Sequence, residues 1–195
     1  PGTLAKGIII RENYVFSSGK GGIKSTGYGT RIAYNVIRCI PELELPSYTG
    51  QFMDAFVNDM RAIEVRGWEW IIEGNDYEVY SNYTPEGVKY NDGEGIMHES
   101  WENVGIRNSI LRNNVGNQYL CFWRVPVDGL LIEGNRIRTK LEWHAIYVNG
   151  QTRFSRDKLV DLPVNNVIIR NNITEGGGIK VLGSGSNNII ENNTH

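Results

Sequence analysis

The sequence predicts an all-β fold, a parallel β-helix of about seven coils, and three observations predict it. The first is a short phrase, an apolar pair, one or two polar residues and then an asparagine, that recurs along the 195 residues. It reads Ile9-Ile10-Arg11-Glu12-Asn13, Ile71-Ile72-Glu73-Gly74-Asn75, Gly105-Ile106-Arg107-Asn108-Ser109, Leu131-Ile132-Glu133-Gly134-Asn135, Ile168-Ile169-Arg170-Asn171-Asn172 and Ile189-Ile190-Glu191-Asn192-Asn193, with a looser copy at Ile32-Ala33-Tyr34-Asn35. The second is the spacing. Anchors at 13, 35, 75, 109, 135, 172 and 193 stand 22, 40, 34, 26, 37 and 21 residues apart, so the unit has a floor near 21 residues and a variable excess. The third is another apolar-alternating segment ahead of the anchors, as in Arg61–Arg66, Gly95–Ser100, Leu120–Arg124, Ala145–Asn149 and Gly178–Leu182.

Each anchor phrase reads as a short strand rich in β-branched residues that ends where a left-handed backbone is tolerated. Asparagine suits such a bend because its amide bonds neighbouring backbone groups. With coils stacked about 4.8 Å apart, equivalent asparagines should lie in one column and bond along it. A leucine-rich repeat would need a regular L-x-x-L-x-L scaffold at near-constant period, which is absent, and the β-branched, Asn-rich composition excludes helical repeats.

In the second set of segments, strand alternation sorts residues into faces. With Ile63, Ile96, Phe122, Ile146 and Ile179 inward, Glu64, Met97, Trp123, Tyr147 and Lys180 form one outward column. Arg66, Glu99, Val125, Asn149 and Leu182 form a second. Strict alternation would turn His98 and Arg124 inward, where an unpaired charge is costly, so the chain is expected to turn there and let both reach the surface.

Phrases such as Gly178–Leu182 followed by Ser186-Asn187-Asn188-Ile189-Ile190-Glu191-Asn192-Asn193, and Gly95–Ser100 followed by Glu102 to Ser109, resemble the repeats of the pectate-lyase-like superfamily. The resemblance runs from Ile8 to Asn193. It implies a single-stranded right-handed parallel β-helix and an extracellular polysaccharide as ligand. It specifies architecture, not activity, because such folds host lyases, hydrolases, epimerases and non-catalytic adhesins alike.

Composition narrows the rest. A net charge of −2 without a basic run argues against nucleic acid as a partner. No apolar run is long enough to span a membrane. Cys39 and Cys121 are the only cysteines, and their pairing is left open. The chain reads as one domain over 1–195, a segment of a longer chain whose two ends are covered by further chain or by another subunit. A secreted, extracellular or periplasmic location follows from the ligand class.

The excess length falls near 41–60, 76–94 and 150–163. Gln51 to Met60 carries apolar residues at helical spacing, which predicts one short helix. The 76–94 stretch carries Tyr77, Tyr80, Tyr83 and Tyr90 among Asp76, Glu78, Asp92 and Glu94, a composition suited to sugar contact or to covering the loop's own core. Gly19-Lys20-Gly21-Gly22 lacks the spacing of a phosphate-binding loop and reads as a turn. With His98, His144 and His195 scattered, zinc is not expected.

Two chemistries suit the strand face. Hydrolysis needs paired carboxylates. Glu64 and Glu99 are offset by one rung and two residues, about 4.8 Å across and about 6.6 Å along, so roughly 8 Å apart, within the roughly 6.5–9.5 Å of inverting glycosidases. β-Elimination of a uronate needs a base and a cation to neutralise the carboxylate. Lys180, Arg124, Arg66 or His98 would serve, with calcium as an optional neutraliser held by Asp76, Asp92 or Glu94. Trp123, Tyr147, Arg66, Asn149 and Tyr90 are the expected sugar contacts. The alternative is a non-catalytic adhesin, fibre or structural module in which Trp123 and Tyr147 are packed under a loop.

Overall fold

Short β-branched runs separated by bends can bury their apolar side only by stacking on copies of themselves, and the chain does this as a parallel β-helix. The structure, a computed structural model, describes residues 5–17, 21–39, 61–80, 83–84, 87–88, 94–99, 104–139, 144–155 and 158–195, without the side chains of 83–84, 87–88, 99, 152–155 and 158–160. Among these residues, three all-parallel sheets of seven, seven and six strands wall a tube. The first sheet stacks Ala5–Lys6, Gly21–Tyr28, Arg61–Arg66, Glu94–Glu99, Leu120–Trp123, His144–Asn149 and Gly178–Leu182. The second stacks Ile9–Arg11, Arg31–Ala33, Ile71–Glu73, Ile106–Arg112, Val127–Glu133, Val164–Arg170 and Ile189–Glu191. The third stacks Tyr14–Ser17, Val36–Cys39, Asp76–Val79, Val115–Gly116, Arg136–Arg138 and Ile173–Glu175.

The core is a set of inward columns. Ile10, Ile32, Ile72, Leu111, Ile132, Ile169 and Ile190 follow one another in register in the second sheet. Ile23, Ile63, Ile96, Leu120, Ile146 and Ile179 do so in the first. Each rung covers the one below with a side chain of similar shape, and stability accumulates between neighbouring coils.

Two corners recur in every coil, and each carries a residue at positive φ. At the entry to the second sheet, before its strand or within the strand's first residues, these are Gly7, Gly29, Glu69, Asn108, Gly129, Asn166 and Asn187, with Gly67, Arg124 and Gly183 also at positive φ on the way from the first sheet; between the second and third sheets they are Glu12, Tyr34, Gly74, Asn113, Gly134, Asn171 and Asn192. Just after the second corner stands the expected asparagine column, Asn13–Asn35–Asn75–Asn114–Asn135–Asn172–Asn193. Each Oδ1 accepts from the backbone N–H of the preceding coil's Asn at 2.9–3.0 Å and from its amide at 2.9–3.0 Å.

Several expectations need correction. The fourth member of the column is Asn114, not Ser109, which makes the steps 22, 40, 39, 21, 37 and 21 residues. Asp76–Val79 is a coil strand rather than the start of an insertion, and Glu94 opens a strand of the first sheet. Gly21 and Gly22 belong to a strand, where a Cβ on Gly22 would collide with Ile37 and the Ala62 carbonyl. Leu120, not Phe122, occupies the Ile63–Ile96–Ile146 column. The helix expected over 51–60, and Tyr90 and Asp92, lie outside the described residues. Two excursions are antiparallel hairpins, Tyr83–Thr84 with Gly87–Val88 and Gln151–Ser155 with Lys158–Asp161.

Both cysteines are buried and carry no disulfide. Cys39 belongs to the tube's core, whereas Cys121 lies in a separate small cluster with Tyr119 and Tyr147. No helix among the described residues is long and apolar enough to cross a membrane.

Candidate functional site

The outer face of the first sheet carries two columns in register. One runs Lys24–Glu64–Met97–Cys121–Tyr147–Lys180. The other contains Thr26 opposite Arg66, and Glu99–Trp123–Asn149–Leu182. Trp123 therefore does not share Glu64's column. It stands opposite Glu99, and Cys121 takes the place expected for it. The offset of Glu99 from Glu64, one rung and two residues, follows from the pairings Met97–Glu64 and Glu99–Trp123.

The middle of the first column is covered. Glu64, Met97, Cys121 and Tyr147 are all buried, with Tyr147 only 7 % exposed against Tyr119, Trp123 and Leu182. Its ring stacks on His144 at 5.3 Å and meets Trp123 edge-on at 6.2 Å. Lys24 and Lys180, at the column's two ends, are exposed. Asn149 is also buried and accepts from the Gln151 backbone N–H at 2.8 Å, tying the start of the hairpin to the rung.

Electrostatics divides the proposed catalytic groups. The Glu64 carboxylate receives Lys24 Nζ and Arg66 Nε on Oε1 and Arg61 Nη1 on Oε2, each at 3.0 Å. Burial alone would raise its pKa, but the contacts with Lys24 and Arg61 outweigh burial and hold it below the usual carboxylate range. Such a group is a poor proton donor. Arg61 also reaches Glu94, Nε to Oε2 2.6 Å.

His98 does not reach the surface. It points into the tube beside Phe122, fully buried, with Nε2 3.2 Å from the Gly67 carbonyl. Burial pushes its pKa down to about 4, so the ring is neutral and donates from Nε2. Arg124 behaves as expected. It sits at φ 56, is exposed, and lies over the Trp123 ring at 5.5 Å.

The same end of the sheet holds a second aromatic–cation group that periodicity did not single out. Tyr28 and Trp68, each two residues past the Thr26–Arg66 rung, stack at 5.6 Å and 12°. Lys6 lies over Tyr28 at 5.7 Å. Both rings are half-buried. A sequence signal exists in hindsight: each precedes a first-corner residue, Gly29 or Glu69, where outward alternation ends. Trp123 with Arg124, and Tyr28 with Trp68 and Lys6, thus line one rim of the first sheet, bordered by Arg66.

Of the acidic residues expected to hold calcium, Asp92 lies outside the described residues and the other two belong to different sheets. Asp76 bonds Arg38 at 3.0 Å on the third sheet, and Glu94 bonds Arg61 on the first. Among the described residues no three His, Cys, Asp or Glu side chains converge. Compared with known proteins, the chain matches no family model, no curated protein and no solved structure.

Proposed function

We propose that the protein is a polysaccharide-binding β-helix of the pectate-lyase-like kind, acting outside the cell, and that it holds a glycan chain along the rim of the first sheet. The observation that carries this reading is the recurrence of a half-exposed aromatic ring under a cation at that rim, at Tyr28–Trp68 with Lys6 and at Trp123 with Arg124. Ring faces stack on the C–H surface of a pyranose, while neighbouring cations bond its hydroxyls or carboxylates. A parallel sheet repeats such positions about every 4.8 Å, so a linear polymer can follow the tube axis.

Binding fits this rim better than cleavage. A general acid needs a carboxyl group that keeps its proton near neutral pH. Glu64 is held ionised by three cations, and His98 faces the core. Wild type and the Trp68→Ala and Trp123→Ala variants should be screened against uronate and neutral glycans, reading affinity, ultraviolet absorbance of unsaturated products and reducing ends. Each substitution should weaken binding by about 1–3 kcal/mol, by analogy with base stacking on aromatics, and leave the fold intact. Full retention of binding in both variants would exclude the rim, and release of unsaturated or reducing ends would make the protein an enzyme.

A further inference from the structure

Every coil places one residue in the left-handed region just ahead of its ladder asparagine. Six of these are Glu12, Gly74, Asn113, Gly134, Asn171 and Asn192; the seventh is Tyr34, at φ 56. A bulky side chain in that conformation is disfavoured, whereas glycine and asparagine adopt it readily. The adjoining coil accommodates it, because a Cβ on Gly74 would collide with Cδ1 and Cε1 of the Tyr34 ring. The ring nevertheless stays 57 % exposed, so burial in the tube does not offset the backbone cost. Backbone strain that packing does not repay points to a role outside the fold.

Two more exposed rings lie on the preceding coil. Tyr14, 70 % exposed, and Phe16, 55 % exposed, lie on the same strand of the third sheet. Tyr14 pairs with Val36, two residues beyond Tyr34, and Phe16 pairs with Arg38. Arg38 forks onto Asp76, Nη2 to Oδ2 at 3.0 Å and Nη1 to Oδ1 at 3.3 Å, and approaches Glu78 at 3.6 Å. Three exposed rings on two successive coils thus stand near a fixed array of charged donors and acceptors.

We infer that Tyr14, Phe16 and Tyr34 form a second glycan-stacking platform, on the third sheet, with Arg38, Asp76 and Glu78 bonding the sugar's hydroxyls. This rests on the reading that the protein binds a polysaccharide, but it concerns a different wall of the tube. The alternation of ring faces with an ion-pair array matches a pyranose, which has apolar C–H faces and a polar rim. The size of the patch also fits a glycan. At these exposures the rings present roughly 400 Å², about half of the roughly 800 Å² that one partner contributes to a stable protein interface.

The test compares wild type with Tyr34→Asn, with Tyr14→Ala/Phe16→Ala, and with the rim variant Trp68→Ala/Trp123→Ala, by calorimetric titration with oligosaccharides and affinity electrophoresis in polysaccharide gels. Tyr34→Asn is expected to bind about tenfold more weakly while melting at a higher temperature, since asparagine relieves the corner. These opposite signs separate a ligand contact from a structural role. Wild type should show two classes of site, with one remaining in each double variant. Unchanged binding in Tyr34→Asn and Tyr14→Ala/Phe16→Ala, with loss in the rim variant, overturns this inference and leaves the rim reading standing; the reverse pattern upholds the platform and removes the rim. A Tyr34→Asn protein that melts below wild type overturns the argument from strain. Self-association in ultracentrifugation that Tyr14→Ala/Phe16→Ala abolishes assigns the patch to a second copy of the chain instead. Absence of any glycan binding by wild type overturns both readings.

Discussion

The side-chain oxygen of Asn135 holds Asn114 twice, accepting its backbone N–H and its amide N–H at 3.0 Å each. Asn135 in turn donates to the carbonyls of Leu111 and Glu133 and to Asn172. Asn114, Asn135, Asn172 and Leu111 are all buried, so a lost partner leaves buried polar groups unpaired. Asn135→Leu should therefore destabilise by about 3–5 kcal/mol, as several buried groups lose their bonds at about 1–3 kcal/mol each with partial relaxation. Asn193→Leu, at the last rung, should cost about 1 kcal/mol. Urea unfolding of both variants checks the gradient, and equal costs would mean that the column does not act as a buried ladder.

His98 makes the tube sensitive to acid. Its native pKa is about 4, against the ordinary 6.5, so the unfolded chain binds the proton first as pH falls. Stability is therefore full above about pH 6.5, declines between there and about pH 4, and the loss levels off below, amounting to about 3 kcal/mol in all. Glu64, one of the groups whose charges act on it, is held below the usual carboxylate range and stays ionised over most of that window. Unfolding free energies from pH 7 down to pH 5 should fall by about 2 kcal/mol in wild type and stay nearly level in His98→Gln. Parallel curves would rule out His98 as the titrating group.

Gly116 faces Tyr77 across one rung of the third sheet, and a methyl group there would overlap the Tyr77 ring. That ring is fully buried and its hydroxyl donates to the Gln118 carbonyl at 2.7 Å, so it cannot move aside. Gly116→Ala should cost about 3 kcal/mol from overpacking. Adding Tyr77→Leu should make the double variant more stable than the sum of the single effects predicts. Strict additivity in thermal melts would contradict the overlap.

The two thiols should be silent in the native protein. Burial pushes the Cys39 thiol up to about 11, and Cys121 is equally shielded. A thiol-reactive chromogen should label neither residue until denaturant is added and then both rapidly. Fast labelling of native protein would show that the core or the outer cluster opens locally.

Legibility in the sequence followed the strength of the repeating signal. The asparagine column was readable because all seven of its members close the same phrase, Asn114 in Ile110-Leu111-Arg112-Asn113-Asn114. The Ser109 assignment failed because both corners use a left-handed residue, and Asn108 at the first corner imitates the Asn113–Asn114 pair five residues later. The Trp123 register slipped because Leu120-Cys121-Phe122-Trp123 is apolar at every position, so nothing alternates to fix the face. The third sheet went unseen since several of its strands are two or three residues long and carry mixed polarity, as in Val115–Gly116 and Arg136–Arg138. For the candidate site, the rim rings of Tyr28 and Trp68 were hidden because alternation stops at the corner that aims them. Tyr34 was visible in the loose copy Ile32-Ala33-Tyr34-Asn35, but only the backbone angle reveals that its presence there is unfavourable.

The uniform corners bear on how such a gene can lengthen. Since each ladder asparagine bonds no further than its own coil and the coils immediately above and below, a coil is an exchangeable cassette. One of the two shortest, from Asn114 to Asn135, spans 21 residues and carries both corners and a strand for each wall. An in-frame tandem duplication of the codons for Val115 to Asn135 would supply every bond that its neighbours require. The product would be longer by one rung, about 4.8 Å, and would present a second copy of Trp123 and Arg124 on its rim.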